Sequence, residues 1–493
     1  MSIKSFHNYY GGREAAARSG QTFTSENPTT GLQWGTFPLS DAADVDAAAR
    51  AADSAFNGKW GTLSHSARGR LMMKLGDLIG EHAERLAELD TAQNGRLHFE
   101  VTAQIRATQG WMYYYGGLAD KIEGSVIPLD QTSVLNYTLR EALGVVGVIV
   151  PWNSPIFLTV MSIAPALAAG NTILIKPSEV TSASAIELAK LADEAGLPPG
   201  VINVVTGMRE VGEALVAHPL VKKICFTGSD QAGRAIAARA GERLVSCTLE
   251  LGGKSPNIVF DDVNLDQAET GILAGIFAAA GQTCIAGSRA YVHASIYDEL
   301  VERLVARTRK IRLGDPMVTA TQMGPIATAA QLKKNRDMVA RAADAGAEIL
   351  CGGDLADVPG LPHGFFFQPT ILQHASASSE LMQSEVFGPV LAITPFKEFE
   401  EVAGMANDTA YGLGAGIWTR DIKRAHLLAR RIKAGTVWVN TYRAMSYSSP
   451  FGGMKASGIG RQNGIEAINQ YLQTKSVWCE LGDEIADPFM MKV

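Results

Sequence analysis

Apolar runs alternate with helical patterns between residues 143 and 251. Strands are predicted at 145–150, 172–176, 201–205, 222–227 and 244–249. The intervening helices are predicted at 155–169, 182–195, 209–217 and 231–240. Continuous β-branched strands are typical of a parallel sheet covered by helices on both faces, with right-handed crossovers between strands. This part of the chain therefore predicts a doubly wound parallel-sheet α/β domain.

The alternation begins again after Gly253 and predicts a second α/β domain. Strands are predicted at 257–260, 290–294, 369–372, 390–395, 417–418 and 436–440. Helices are predicted at 265–280, 297–312, 329–345 and 422–433. The alternation of strands and helices favours a parallel sheet here as well.

The N-terminal region and the C-terminus are less regular. Residues 1–40 show little periodicity, and the helical patterns that follow cover 41–56, 67–89 and 100–118. Residues 125–141 are a candidate hairpin, and 474–480 is a strand that needs a partner. We expect the hairpin, of the same or of another subunit, to supply that partner.

The composition is that of a globular protein with more than one domain. The chain has 493 residues, of which 46% are hydrophobic and 19% charged, and one hydrophobic core rarely supports that length. The net charge of -6 and the lack of a basic run argue against a positively charged surface that would bind nucleic acid. No apolar run reaches the roughly 18 residues of a membrane span. We therefore expect neither nucleic acid nor a membrane as a partner.

The cysteines and histidines narrow the chemistry. The five cysteines are scattered, without a C-x-x-C pair, which favours a reducing, cytoplasmic location over a disulfide framework. The N-terminus has no apolar core of a signal peptide. The nine histidines include no H-E-x-x-H pair, so no metal site is expected.

Small residues surround Cys284 in the stretch A-A-A-G-Q-T-C-I-A-G-S, residues 278–288. An apolar helical run leads into this stretch, and its glycines allow another molecule to approach the backbone closely. An isolated cysteine is more often a small buried hydrophobe than a nucleophile. The stretch alone leaves both interpretations open.

Polar residues stand where four of the predicted strands end. These residues are Asn153, Lys176, Glu179, Ser229 and Glu250. Each has an ordinary explanation, as a helix cap or as a solvated side chain. Ligands of doubly wound sheets bind beyond the carboxyl ends of the strands, so five polar groups at one rim favour a binding site.

One glycine pair lies between a predicted strand and a predicted helix. Gly228 and Gly233 form G-S-x-x-x-G, and the start of the following helix suits a phosphate group. The pair does not match the G-x-G-x-x-G fingerprint, so the signal is weak. The glycine runs at 412–414 and 458–464 do not open a helix after a strand and are not expected to bind phosphate.

Seven motifs together carry a resemblance to a known family. They are P-W-N at 151–153, K-P-S-E at 176–179, F-T-G-S at 226–229, L-E-L-G-G-K-S-P at 249–256, G-Q-T-C at 281–284, E-V-F-G-P at 385–389 and P-F-G-G-M-K-x-S-G at 450–458. In this order and at these spacings, the chain resembles the NAD(P)-dependent aldehyde dehydrogenase superfamily over essentially its whole length.

The resemblance implies three structural parts. Residues 1–121 and 143–252 would form the NAD-binding domain, and residues 253–454 the catalytic domain. Residues 122–142 and 470–493 would form a small β oligomerisation, or bridging, domain. The implied assembly is a homo-oligomer, either a dimer or a tetramer.

The resemblance also implies a catalytic mechanism. Cys284 would attack the aldehyde carbon as a thiolate. The side-chain amide of Asn153 and the Cys284 backbone N–H would stabilise the oxyanion. After hydride transfer, Glu250 would act as the general base that activates water to cleave a thioester. Burial at the end of a strand would raise the pKa of this carboxyl group.

The implied cofactor is NAD rather than NADP. Lys176 and Glu179 would bind the adenine ribose, and the Glu179 carboxylate would repel a 2′-phosphate. Ser229 and Trp152 would contact the pyrophosphate, and Glu385 with Phe387 the nicotinamide ribose. The whole implied set is Trp152, Lys176, Glu179, Gly228, Ser229, Gly233, Leu251, Glu385 and Phe387.

The implied substrate tunnel contains two departures that bear on specificity. Its lining would be Ser154, Met161, Thr283, Ile285, Arg443, Ala444, Met445 and Phe451, with the Tyr113–Tyr115 segment nearby. Ser154 stands where several family members carry an aromatic residue, which indicates a wider mouth or a polar substrate. Arg443 either pairs with a carboxylate or hydroxyl of the substrate or is a structural or solvated side chain.

Three functions are weighed. The leading one is oxidation of an aldehyde to the carboxylic acid with NAD. A coenzyme-A-acylating (semi)aldehyde dehydrogenase is the alternative, and Glu250 argues against it because a placed base favours hydrolysis. A non-catalytic scaffold is disfavoured by the intact set of Asn153, Glu250, Cys284 and Glu385.

Overall fold

Two large, mainly parallel sheets form the centre of the structure, a computed structural model that describes residues 3–483 and residue 489. One sheet has eight strands and the other seven, and two three-stranded sheets lie apart from them. The expected α/β class is confirmed by this arrangement. The proposed division into three domains stays a prediction.

The strands are β1 (Lys4–Ser5), β2 (Asn8–Tyr10), β3 (Arg13–Ala15), β4 (Thr22–Asn27), β5 (Leu32–Pro38), β6 (Val126–Ile127), β7 (Val134–Ala142), β8 (Val145–Ile149), β9 (Thr172–Lys176), β10 (Ile202–Val204), β11 (Val221–Thr227), β12 (Ser246–Glu250), β13 (Pro256–Val259), β14 (Arg289–His293), β15 (Glu348–Cys351), β16 (Thr370–Gln373), β17 (Val390–Phe396), β18 (Gly414–Trp418), β19 (Thr436–Val439), β20 (Gly458–Ile459) and β21 (Leu472–Glu480).

The helices are α1 (Ala42–Phe56), α2 (His65–Glu81), α3 (Ala83–Asn94), α4 (His98–Ala107), α5 (Gln109–Leu118), α6 (Pro155–Ala168), α7 (Ala183–Glu194), α8 (Arg209–Ala217), α9 (Asp230–Glu242), α10 (Leu265–Phe277), α11 (Tyr297–Thr308), α12 (Ala329–Asp344), α13 (Glu380–Gln383), α14 (Phe399–Asn407) and α15 (Ile422–Arg431).

The eight-stranded sheet has the order β20-β12-β11-β8-β9-β10-β2-β3. The five strands from β12 to β10 are parallel, and the outer strands pair antiparallel. The chain runs from β8 outward to β9 and β10, then returns to the other side of β8 for β11 and β12. Strand order therefore reverses between β8 and β11, which is where a doubly wound sheet leaves a ligand crevice.

Helix α6 lies at the centre of the first core. All of its residues, from Pro155 to Ala168, are buried, because α6 packs against α2, α5 and α7 as well as the sheet. A helix that is apolar on every side cannot lie on a surface. Pro155 at the first helical position suits the helix start, where its missing N–H needs no partner.

The second sheet has the order β15-β16-β17-β14-β13-β18-β19. All its neighbouring strands are parallel except the antiparallel pair β15 and β16. The strand that enters from the first sheet, β13, lies beside β14 and β18. Helix α10 follows β13 and leads back towards the edge of the first sheet.

Two predicted helices and the N-terminal region differ from expectation. The pattern at 67–89 covers two helices that meet at His82, and the pattern at 100–118 covers two that meet at Thr108. Residues 1–40 contain β1 to β5, although they show little periodicity. These short strands pair with distant segments, such as β2 with β10, so their own sequence carries little signal.

The hairpin and the C-terminal strand form one sheet, β21-β7-β6. Strand β21 pairs antiparallel with β7 of the same chain, from Leu472 opposite Ala142 to Glu480 opposite Val134. The strand thus finds the expected partner within its own chain. Residues 484–488 and 490–493 of the predicted oligomerisation segment lie outside the described residues.

No helix among residues 3–483 has both the length and the apolar character needed to cross a membrane.

Candidate active site

A strained turn delivers Cys284 to the space between the two sheets. Helix α10 ends at Phe277, earlier than predicted, and the next residues form a 3₁₀ turn. Ala279 and Ala280 have left-handed φ values of 54° and 51°, and Gly281 follows at 69°. A Cβ at Gly281 would lie 2.1 Å from the Gly388 oxygen. Position 281 therefore requires glycine, and the left-handed backbone of the turn is the reason that the helix does not continue to Ala280.

A cavity of about 170 Å³ lies in front of Cys284. It is lined by Pro151, Trp152, Asn153, Leu158, Thr227, Gly228, Ser229, Glu250, Leu251, Gly252, Cys284, Gln331, Lys334, Glu385 and Phe387. The structure thus brings all three predicted catalytic residues to one space. That space continues to the crevice beside β8 and β11.

Asn153 is held by the segment that carries Cys284. Its Nδ2 donates a hydrogen bond of 2.9 Å to the backbone oxygen of Gln282. Its Oδ1 is buried and accepts no hydrogen bond from the described residues. An amide nitrogen has two hydrogens, so the second N–H of Asn153 stays available while the first fixes its orientation.

Glu250 ends β12 beside Thr227 at the end of β11. The side chain is buried, and neither carboxylate oxygen has a hydrogen-bond partner in the described chain. Burial raises the pKa of Glu250 well above its usual value, and the charge of Arg461 opposes this only in part. A buried carboxyl group with a raised pKa is suited to accept and release a proton near neutral pH.

The Cys284 thiol is protonated in this arrangement. Burial, then the nearby Glu385 and Glu250, raise the pKa of Cys284 to about 12, and the charge of Arg443 acts in the opposite direction. A thiolate at this position therefore needs a base or an added positive charge to form.

Ser229 begins α9 as its N-cap, with its Oγ accepting a hydrogen bond of 3.3 Å from the Ala232 N–H. The structural explanation for this serine is thus correct. Gly233 lies one turn into the helix, where a Cβ would approach the Leu251 side chain to 2.5 Å. Gly233 therefore lets Leu251 and α9 pack closely beside the cavity.

Lys176 and Glu179 lie at the end of β9, outside the cavity in front of Cys284. Lys176 is buried, and its Nζ lies 3.3 Å from Glu179 Oε2. The Glu179 side chain is 46% exposed, so its second oxygen faces solvent. The pair leaves a carboxylate at the rim of the sheet, as expected.

Glu385 and Phe387 face the cavity from the second sheet. Glu385 Oε1 accepts a hydrogen bond of 3.0 Å from the Gly253 N–H, whereas Oε2 accepts none from the described residues. Burial raises the pKa of Glu385 to about 7. The Phe387 ring packs edge-on against Trp152, with centroids 5.3 Å apart, so these two predicted cofactor residues are in contact.

The predicted tunnel residues fall into an apolar group and a polar group. Met161, Ile285 and Phe451 belong to the same buried apolar cluster that Cys284 contacts. Thr283 Oγ1 is buried and has no partner among the described residues. Arg443 is half-buried, with Nη1 lying 3.3 Å from the Ala278 oxygen.

The Tyr113–Tyr115 segment is divided between three environments. Tyr113 is exposed and donates a hydrogen bond to Asp77, away from the tunnel. The Tyr115 hydroxyl donates to the Gly464 oxygen in the core. Only Tyr114 faces the loop of Arg443, with its ring centroid 5.1 Å from that of Tyr447. The three side chains differ in this way because consecutive helical residues point in different directions, and the expectation that this segment lies near the substrate stays a prediction.

Sequence reasoning missed several polar residues at the site. Gln282 accepts the Asn153 hydrogen bond, and Gln331 and Lys334 line the cavity. Lys254 is fully buried without a hydrogen-bond partner in the described chain, and burial lowers its pKa to about 7. Gln282 lies in the same motif as Cys284, and Lys254 lies in the same motif as Glu250. This proximity in the sequence was the signal that could have identified them.

A larger cavity of about 570 Å³ lies elsewhere, lined by residues such as Arg68, Arg140 and Gln473. It contains none of the predicted site residues. Within residues 3–483, no group of three or more His, Cys, Asp or Glu side chains could hold a metal ion.

Comparison with protein families identifies the chain. The model of the aldehyde dehydrogenase family matches residues 15–477. This chain belongs to the aldehyde dehydrogenase family. The resemblance seen in the seven motifs and the expected fold are therefore confirmed.

Dehydrogenases from two bacteria are similar to this protein over nearly the whole chain. A (Z)-2-((N-methylformamido)methylene)-5-hydroxybutyrolactone dehydrogenase of Acinetobacter baylyi is 43% identical over 474 residues, which is 95% of this chain and 96% of the relative. A betaine aldehyde dehydrogenase of Brucella melitensis is 40% identical over 476 residues, 96% of this chain and 97% of the relative.

Solved structures of an aldehyde dehydrogenase and of PnpE share the fold. The NAD⁺ complex of an aldehyde dehydrogenase from Bacillus cereus superposes with a TM-score of 0.95 at 39% identity, covering 97% of each chain. PnpE in complex with nicotinamide adenine dinucleotide superposes with a TM-score of 0.96 at 43% identity, covering 98% of this chain and 99% of that one.

Proposed function

We propose that this aldehyde dehydrogenase oxidises an aldehyde to its carboxylic acid with NAD, through a covalent intermediate on Cys284. One observation carries the proposal. The Cys284 thiol, the Asn153 amide and the Glu250 carboxyl group border one cavity that opens to the crevice of the parallel sheet. A nucleophile, an oxyanion donor and a base at one space are the groups that acyl chemistry needs.

The residues present fit NAD. Glu385 has a carboxylate oxygen, Oε2, with no partner among the described residues, and a ribose hydroxyl can donate to it. The start of the 13-residue helix α9, with Ser229 as its N-cap, presents N–H groups and a dipole suited to the pyrophosphate. Bound NAD supplies the hydride acceptor. Trp152 and Phe387 flank the same cavity as apolar walls.

Glu179 favours NAD over NADP. Its carboxylate lies on the rim beside Lys176, where it can accept a hydrogen bond from a ribose hydroxyl. A 2′-phosphate at the same place would meet a negative charge. In this pairing Lys176 neutralises part of the charge of Glu179, so the preference is electrostatic and can be altered by substitution.

The first chemical step forms a bond between Cys284 Sγ and the aldehyde carbon. The thiol proton must leave, because burial and two carboxyl groups hold the pKa of Cys284 near 12. Glu250 borders the same cavity and accepts that proton in our mechanism. The carbonyl oxygen becomes an oxyanion and receives hydrogen bonds from the free N–H of Asn153 and the Cys284 backbone N–H.

After hydride transfer the acyl group is held on Sγ as a thioester. Glu250 first releases to solvent the proton that it took from the thiol. The carboxylate then removes a proton from water, whose oxygen attacks the acyl carbon, and it returns this proton to the departing thiolate. The carbon–sulfur bond breaks, the acid leaves and Cys284 regains its thiol. A base with a raised pKa suits both proton transfers.

Coenzyme A is the alternative acceptor of the acyl group. The buried Glu250 argues for hydrolysis, because a base beside the thioester activates water directly. Product analysis with and without coenzyme A separates the two reactions.

The assembly is proposed to be a homo-oligomer. Strands β19 and β21 are edges of their sheets, and β21 exposes Trp478, which is 61% accessible. Unpaired edges and exposed apolar side chains favour pairing with another chain. The five cysteines, all of them in the described residues, are free, which fits the expected cytoplasmic location.

The test is a direct assay. Purified protein is mixed with NAD and a panel of aldehydes, and NADH formation and the acid product are measured. We expect NADH and free acid in equal amounts with the natural chain, and none with Cys284→Ala. NADH formation by Cys284→Ala, or a product that requires coenzyme A, would contradict the proposal.

A further inference from the structure

The loop that follows β19 holds Arg443 in a fixed position. Trp438 Nε1 donates a hydrogen bond of 2.8 Å to the Ala444 oxygen, and the Tyr442 hydroxyl donates one of 3.0 Å to the Ile285 oxygen. Arg443 itself has a left-handed φ of 65°. Non-glycine residues adopt this conformation at an energetic cost, so the bonds on either side of Arg443 determine where its side chain goes.

The Arg443 guanidinium has unused hydrogen-bond donors. Its Nη1 contacts the oxygens of Ala278 and Ala274 at 3.3 Å and 3.4 Å, at the end of α10. Among the described residues no carboxylate forms an ion pair with it, and its Nε and Nη2 donate no hydrogen bond. A structural salt bridge is therefore not the reason for this arginine.

Arg443 acts electrostatically on the nucleophile. Its charge lowers the pKa of Cys284 against the larger effects of burial, Glu385 and Glu250. Burial lowers the pKa of Arg443 itself, and Glu100 partly compensates its charge from a distance. The guanidinium thus lies near the nucleophile, and the neighbouring Tyr442 is bonded to Ile285, the residue that follows Cys284.

A second arginine, Arg96, is buried beside Asn153 and Ser154. Arg96 Nη1 donates hydrogen bonds to Ser154 Oγ at 2.8 Å and to the Asn153 oxygen at 3.2 Å. Its Nε is buried without a partner in the described residues. Its ion pair with Glu100 is long, at 4.0 Å. Ser154 has a small side chain, so the guanidinium that is bonded to it lies close to the backbone of Asn153.

We infer that the natural substrate is an aldehyde that also carries a carboxylate, and that Arg443 binds this carboxylate while Arg96 adds to the positive field. The inference rests on the proposed function. A guanidinium with two free nitrogen atoms matches a carboxylate, because both oxygens can accept hydrogen bonds at once. Among the described residues Glu100 lies near both arginines, and Asp90 also lies near Arg96. Burial raises the pKa of Asp90 to about 7, which favours its uncharged form, so the two arginines keep a net positive charge for the substrate to neutralise.

A quaternary ammonium aldehyde carries the opposite charge. It has to be considered because some relatives are betaine aldehyde dehydrogenases. Aromatic rings do lie near this loop, with the Trp111 centroid 5.6 Å from Tyr447 and 5.2 Å from Phe157. Such rings attract cations. The charges of Arg443 and Arg96 repel them, so we expect this chain to disfavour betaine aldehyde.

The first experiment compares small aldehydes that differ in charge. kcat/KM is measured for succinic semialdehyde, butanal and betaine aldehyde with the natural chain, Arg443→Met and Arg430→Met. Arg430 is an exposed arginine on α15 and controls for the loss of one positive charge. Arg443→Met should lower kcat/KM for succinic semialdehyde about 10- to 100-fold, as loss of a hydrogen bond to a charged group does. The butanal value should fall much less, because this neutral substrate loses only the effect of the Arg443 charge on Cys284 and no hydrogen bond.

The second experiment does not require dehydrogenase activity. Cys284 is alkylated at low ionic strength with iodoacetate, which is anionic, or iodoacetamide, which is neutral. The rate at the Cys284 peptide is followed by mass spectrometry. Arg443→Met should lower the ratio of the iodoacetate rate to the iodoacetamide rate by about threefold or more, because a unit charge acts strongly in a buried site. Arg430→Met should leave the ratio unchanged.

The outcomes separate the inference from the proposed function. If no aldehyde is oxidised but the alkylation ratio falls in Arg443→Met, the anion-binding site is supported and the proposed oxidation is wrong. If aldehydes are oxidised but Arg443→Met affects butanal and succinic semialdehyde equally, the inference is wrong while the function stands. Equal or better use of betaine aldehyde than of succinic semialdehyde by the natural chain also overturns it.

Discussion

The side-chain nitrogen of Asn153 lies 2.9 Å from the backbone oxygen of Gln282. This bond connects the segment after β8 to the segment that carries Cys284, two residues later. It therefore sets the distance between the proposed oxyanion donor, which follows a strand of one sheet, and the proposed nucleophile. Fixed donors stabilise developing charge without having to reorganise during the reaction.

Asn153→Ala removes this donor. We expect kcat to fall about 100- to 1,000-fold, as for removal of one oxyanion donor, with little change in KM for the aldehyde. Steady-state kinetics measure both, and Asn57→Ala at the exposed end of α1 is the control. A parallel loss of Cys284 alkylation by iodoacetamide would instead mean that the turn has moved.

Glu250→Gln tests the base through the pH dependence of turnover. Only the ionised carboxylate accepts a proton, and burial holds the pKa of Glu250 well above its usual value. Turnover of the natural chain should therefore rise as pH increases through that raised pKa and fall below it. The variant should lose this rise, and kcat should fall about 100- to 10,000-fold.

The exposed Glu466→Gln serves as the matched control for Glu250→Gln and should keep the natural pH profile. Intact-mass spectrometry should detect acyl-enzyme in Glu250→Gln, because hydrolysis is slowed. An unchanged pH profile in Glu250→Gln would rule out its role as the base.

Glu179→Ser should relax cofactor preference. The substitution removes the carboxylate that lies 3.3 Å from Lys176 Nζ and frees the ammonium group to meet a 2′-phosphate. We expect kcat/KM for NADP to rise about tenfold or more, as a charge-assisted hydrogen bond allows, and that for NAD to fall. If the ratio of the two values stays the same, Glu179 does not select the cofactor.

Gly281→Ala should destabilise the fold. Its φ of 69° is unfavourable for alanine, and the new Cβ would lie 2.1 Å from the Gly388 oxygen. We expect a loss of at least about 2 kcal/mol in the free energy of unfolding, seen as a lower Tm by calorimetry. Gly404→Ala in α14 is the control, since a Cβ at Gly404 would have nothing within 4 Å and alanine favours a helix. Equal Tm values in the two variants would show that the turn tolerates a side chain.

The parallel strands and the helices of the first sheet were readable from the sequence. Strand β9 lies at the predicted residues, because a fully buried strand needs uninterrupted apolar residues. Helix α8 also has the predicted bounds, because its apolar residues, Val211, Leu215 and Val216, recur at helical spacing and form one buried face. The exceptions have physical causes. Residues 67–89 read as one helix because the apolar period continues across His82, where the backbone leaves the helical conformation.

The sequence predicted which individual residues belong to the site, but not the contacts between them. The motifs predicted that Asn153, Glu250 and Cys284 matter, but no pattern in the sequence predicted the bond between Asn153 and Gln282. The same holds for Arg96 and Ser154, which are 58 positions apart and joined by a hydrogen bond of 2.8 Å.

The sequence by itself determined the local backbone and the residues able to do chemistry, because apolar periodicity and small-residue turns act over a few positions. The tertiary structure alone decided which side chains meet, which carboxyl groups are buried away from water and which arginine forms no ion pair within the described chain. Those properties depend on how two sheets and one strained turn pack against each other, and packing joins residues that are far apart in the chain.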